Sequence, residues 1–99
     1  MILEKFIKQP GELKDYDVDY APWLTPMGDT IDEVTGTVIC LTDPTDHSLV
    51  LVDSISTETR SKFWVSGGTP GNKYKLTAMC STVGGRIDES ELVFTVKDY

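Results

Sequence analysis

Asp15, Asp17 and Asp19 stand at every second position, and three carboxylates so spaced invite a calcium reading. An EF-hand loop needs glycine at its sixth place and glutamate at its twelfth, whereas Tyr20 and Pro26 occupy those places. On a strand the same spacing puts all three carboxylates on one solvent face, so no metal is expected. His47 is the only histidine; it leaves no two-His site, and no nucleophile elbow accompanies it. Gly67-Gly68 and Gly84-Gly85 lack the helix and the Lys-Ser/Thr ending of phosphate loops. Cys40 and Cys80 form no CxxC pair. They read as inward residues near strand ends, either free thiols or, if their strands face one another across a sandwich, a possible cross-link. The expectation is a protein that is not an enzyme and uses no cofactor.

The bulk composition points the same way. Ninety-nine residues, 39% of them hydrophobic, suit one core and leave no room for a second. The net charge of −7 argues against nucleic acid, which requires clustered Lys and Arg. The charge is uneven, −9 over residues 1–58 and +2 over 59–99, so the acidic half is either a solvated surface or a dock for a basic partner. Met1 to Lys8 is too short and too charged for a signal peptide, and no run approaches the roughly 20 apolar residues of a membrane span. A soluble protein with no membrane partner is expected.

The elements follow from period-two alternation. Residues 1–13 read as an extended N-terminal arm or partial edge strand ending at the Pro10-Gly11 turn, and 14–99 as the domain proper. Strands are expected over Lys14–Tyr20, Ile31–Cys40, Ser48–Ser56, Lys62–Ser66, Lys73–Thr82 and Glu91–Lys97. Pro22 to Pro26 forms a corner with Trp23 and Leu24 inward. In the segment from Ser48, Leu49, Leu51 and Asp53 should share one side and Val50, Val52 and Ser54 the other. Phe63 and Val65 point in and Trp64 out. Gly67, Gly68 and Gly71 mark a tight loop.

That loop leads into Tyr74, Leu76, Ala78 and Cys80 at alternate positions, the tyrosine-corner pattern of immunoglobulin-type and fibronectin-type domains. The Tyr74 hydroxyl would bond back to the preceding loop, a structural role. About seven short strands, closely spaced, with no helical period, predict an all-β, immunoglobulin-like antiparallel sandwich with an extended N-terminal arm.

One resemblance runs from about Lys8 to Lys97. It is carried by Lys8-Gln9-Pro10, Asp15-Tyr16-Asp17-Val18-Asp19-Tyr20 with Trp23-Leu24, Asp29-Thr30-Ile31, Trp64-Val65-Ser66-Gly67-Gly68-Thr69-Pro70-Gly71, Tyr74-Lys75-Leu76-Thr77 and Gly85-Arg86. In these residues the chain resembles a family of small virion proteins of tailed bacteriophages. Pro70 stands where a small residue is expected, and Asp43 to His47 is longer than usual; both departures lie in loops. The resemblance implies a virion structural protein, assembled in the host cytoplasm, with an immunoglobulin-like fold. It would be a capsid decoration or cement subunit or a head–tail junction component, binding capsid or connector subunits and forming a homo-oligomer on the particle. The alternative is a tail-associated adhesion module contacting the host surface.

Partner contact is expected from the arm, through Ile2, Leu3, Phe6 and Ile7 added to a neighbour's sheet edge, and from Trp64. The competing reading has the arm folded back on its own domain and covering Trp64.

Overall fold

A computed structural model describes residues 2–99. The elements are β1 (Leu3–Lys8), β2 (Leu13–Asp19), a helical turn α1 (Ala21–Leu24) continued by a 3₁₀ turn (Thr25–Met27), β3 (Ile31–Cys40), β4 (Leu49–Ser56), β5 (Arg60–Gly67), β6 (Lys73–Thr82) and β7 (Ile87–Val96). They form two sheets, one ordered β1-β7-β6-β3 and the other β2-β5-β4. In seven-stranded immunoglobulin-type sandwiches the second, fifth and fourth strands share one sheet and the third, sixth and seventh the other, and the same order is found here.

The core lies between the sheets because alternate residues point there. On β6, Tyr74, Leu76, Ala78 and Cys80 are fully buried; on β7 so are Leu92, Phe94 and Val96. Phe63 and Val65 of β5 meet them from the opposite sheet, also fully buried. Each such large side chain contributes about 1.5–3 kcal/mol by leaving water. Gly36 leaves room for the opposite sheet, since a Cβ there would lie 2.6 Å from Leu51 Cδ2 and 3.4 Å from the Phe63 ring.

Several expectations are corrected. Residues 1–13, read as an extended arm or a partial edge strand, hold β1, an edge strand that pairs in parallel with β7 (Leu3 opposite Glu91, Lys8 opposite Val96), a parallel ladder in a sandwich expected to be antiparallel. The physical reason is its inward face. Ile2 and Phe6 pack on the core, with the Phe6 ring 4.8 Å from Tyr16 and 5.5 Å from Phe94. Nor does β1 cover Trp64, which belongs to the other sheet. The Pro22 corner is helical, Pro22 supplying the fixed φ of a first turn, and it buries Leu24 fully and Trp23 partly. Cys40 and Cys80 are free and lie in neighbouring strands of one sheet, opposite Tyr74 and Val34, too far apart along the ladder to pair.

Candidate functional site

Trp64 sits half-buried at the middle of the outer face of β2-β5-β4. Phe63 and Val65 turn into the core, which sends Lys62, Trp64 and Ser66 outward. In register with Trp64 are Asp15 on β2 and Asp53 on β4. The row beside it holds Leu13, Ser66 and Val50, and the row on the other side Asp17, Lys62 and Ile55. Leu13, Val50 and Ile55 are exposed. The face is thus an aromatic centre with an aliphatic fringe and carboxylates on both flanks.

A bulge builds it. The β4–β5 register shifts between Leu51 and Asp53, so Val52 is extra and Asp53, not Ser54, turns outward beside Trp64. Strict alternation placed Asp53 with Leu49 and Leu51, and that expectation is corrected. No glycine or proline marks the bulge in Val50-Leu51-Val52-Asp53.

The second exposed surface is β1. Leu3 and Ile7 are 60% and 58% exposed on the outer face of the four-stranded sheet. The Ile2 carbonyl accepts the Glu91 N–H at 2.8 Å and the Lys8 carbonyl accepts the Lys97 N–H at 3.0 Å. Backbone direction alternates along a strand, so Leu3, Lys5 and Ile7 turn their N–H and C=O groups to the open edge of the sheet. Of the arm residues expected to contact partners, Leu3 and Ile7 face outward while Ile2 and Phe6 face the core.

Hydrogen-bond networks tie the loops together at both ends of the sandwich. The Tyr74 hydroxyl accepts the Thr69 N–H at 2.8 Å and donates to the Asp46 carboxylate. Asp46 also accepts the Ser48 N–H at 2.8 Å and the Asn72 side-chain amide at 2.9 Å. The Ser48 hydroxyl first, then Tyr74, hold the Asp46 carboxyl well below the usual range. The bond to Thr69 is the one expected of the tyrosine corner, whereas the part of Asp46, which ties the β3–β4 loop to it, was not legible in the residues. At the opposite end the buried Asp29 accepts the Gly84 N–H at 2.9 Å and the Arg86 guanidinium at 2.9 Å. The Thr82 hydroxyl, then Gly84, Thr30 and Arg86, lower its pKa to about 2.

Two of the loop glycines carry positive φ against neighbouring atoms. A Cβ on Gly67 (φ 79°) would lie 2.2 Å from the Ser48 carbonyl oxygen, and one on Gly68 (φ 104°) 2.6 Å from Val96 Cγ2. The chemical candidates of the sequence fall elsewhere. Asp15 and Asp17 pair with Lys62 at 2.7 and 3.3 Å, and Asp17 and Asp19 with Arg60 at 3.5 and 3.4 Å. Among the described residues no group of three or more His, Cys, Asp or Glu is arranged to hold a metal. His47 is exposed in the β3–β4 loop beside a shallow hollow lined by Val38, Ile39, Cys40, Leu41 and Pro44.

A seven-stranded sandwich with hydrogen-bonded end loops and exposed apolar residues on the outer side of both sheets defines the class, an all-β immunoglobulin-like domain. The chain belongs to the family described as podophage GP4 fiber-tail adaptor protein gp77, whose model matches residues 8–95. It is a structural protein of a phage virion. Among curated proteins no sequence matches it.

Proposed function

We propose that the protein bridges a tail component and a fiber of a podophage virion, one partner seated on the Trp64 face and the other on β1. The family's description supports the position. The observation that carries the bridging role is that exposed apolar residues gather on the outer surfaces of both sheets, with Leu13, Val50 and Ile55 around Trp64 on one and Leu3 and Ile7 on the other. Two partners held on opposite sides of one core do not compete for surface.

The dimensions support it. The molecule measures 43 × 21 × 19 Å, so each broad face offers roughly the 800 Å² that a standard interface takes from one partner. On β1 an extended partner segment would hydrogen-bond to the open edge at Leu3, Lys5 and Ile7, with the exposed side chains setting its register. Many copies on an ordered particle raise effective concentration, so each contact can be small.

The test is phage carrying Trp64→Ala or Ile7→Asp, with purified particles assayed for this protein and for attached fibers. The expected result is that one variant yields particles that retain the protein but lose fibers, and the other yields particles that lose both. Full fiber occupancy with both variants overturns the bridge. Labelling of wild-type protein across the capsid surface would point to decoration, and binding of the purified protein to host cells alone would point to adhesion.

A further inference from the structure

We propose that Trp64 and Asp53 form a cation clamp that receives an arginine side chain projecting from an apolar patch of one virion partner. This rests on the bridging role above and adds the chemistry of one of the two contacts.

The two carboxylates beside the indole are not equivalent. Asp15 bonds to Lys62 Nζ at 2.7 Å and is already neutralised. Asp53 is exposed, its Oδ1 accepts the Ser54 N–H at 2.8 Å, and it makes no ion pair with a cation among the described residues. An aromatic face beside an unneutralised carboxylate attracts a cation twice, through the ring quadrupole and through charge. A guanidinium suits both, because its flat face stacks on indole while its N–H groups fork onto a carboxylate. Lys62 cannot serve, being held between Asp15 and Asp17.

The surroundings select a protein partner. Leu13, Val50 and Ile55 give an apolar fringe that excludes water from a central contact. A sugar could also stack on the indole beside Asp53 and Ser66, but the exposed aliphatic residues Leu13, Val50 and Ile55 around it favour an apolar partner surface. The charged side chains on this face, Asp15, Asp17, Asp19 and Asp53 against Arg60 and Lys62, leave a balance of −2 that favours a basic partner surface.

The test uses the full chain and particles assembled without it. Asp53→Asn and Trp64→Leu are each expected to weaken binding to those particles about tenfold. Asp53→Asn should leave the thermal midpoint unchanged, Trp64→Leu should lower it by only a few degrees as a half-buried ring is trimmed, and added salt should weaken wild type more than Asp53→Asn. A benzophenone amino acid at position 50 should cross-link to a tail or fiber subunit within a residue or two of an arginine. Wild-type affinity for both variants overturns the clamp, as does a cross-link to a second copy of this chain or Trp64-dependent binding only to host cells. If Ile7→Asp loses a partner while Asp53→Asn and Trp64→Leu do not, the bridge stands and the clamp falls. If wild-type protein does not join the particles, both fall.

Discussion

Lys8 Nζ lies 2.7 Å from the carbonyl oxygen of Gly67, joining the end of β1 in one sheet to the end of β5 in the other. The lysine is fully buried and its amine also donates to the Gln9 carbonyl at 2.9 Å. Burial lowers its pKa, an effect that Glu12 partly opposes. A lysine engaged by two backbone carbonyls acts as a strut, not a surface charge. It sits where the inward face of β1 runs out, one step beyond Phe6 in the same alternation.

Replacing that strut should be costly. Lys8→Met keeps much of the apolar stem but removes the amine from the Gly67 carbonyl and from the Gln9 carbonyl, which keeps the Glu12 N–H, a loss of about 1–3 kcal/mol. Urea unfolding followed by tryptophan fluorescence measures it. An unchanged midpoint would show that water replaces the amine without penalty.

Tyr74→Phe tests the corner. It removes the acceptor of the Thr69 N–H and the donor to Asp46 while leaving the buried ring in place. The expected cost is again about 1–3 kcal/mol. Hydrogen exchange at the Thr69 amide should rise by more than exchange at the β6 amides, because the loop is released before the strand.

The loop glycines should separate by surroundings. At Gly71 (φ 90°) nothing lies within 4 Å of the place a Cβ would take, so Gly71→Ala costs only the left-handed backbone strain of about 1–2 kcal/mol. At Gly67 the methyl would meet the Ser48 carbonyl oxygen at 2.2 Å, a backbone atom that cannot swing aside. Gly67→Ala should therefore destabilise well beyond Gly71→Ala in thermal melts, and equal midpoints would contradict the packing described.

Acid should loosen the end opposite the tyrosine corner. The Asp29 pKa falls from 3.8 to about 2 in the folded chain. A depressed carboxyl contributes stability that is present above its unfolded value and lost as pH falls through its folded one. The thermal midpoint should therefore fall between about pH 4 and pH 2. Asp29→Asn should start lower and show a shallower fall over that range. A variant with the wild-type slope would mean that Asp29 is not among the groups responsible.

Much of the fold is legible from alternation. β3 and β6 occupy Ile31–Cys40 and Lys73–Thr82, the spans read from the residues, because every inward position on β6 is apolar or small. β7 begins at Ile87, earlier than the Glu91 expected, because its first inward positions are Asp88 and Ser90. These polar residues are buried together, Ser90 Oγ donating to Asp88 at 2.8 Å, and such a pair carries no apolar period to read. The partner-facing residues were legible only in part. Trp64 reads as outward from its neighbours Phe63 and Val65, but Asp53 beside it depends on the bulge.

Residue order alone, then, determined the all-β class, the inward stripe, the tight Gly67-Gly68 turn and the outward tryptophan. These follow from local rules: period-two side-chain direction, and turns that only certain residues accept. The tertiary structure decided that β1 joins β7 in parallel, that Lys8 is buried, and that Asp53 stands beside Trp64. Those outcomes depend on which strand lies next to which and in what register, and pairing between distant segments leaves no mark in either segment by itself.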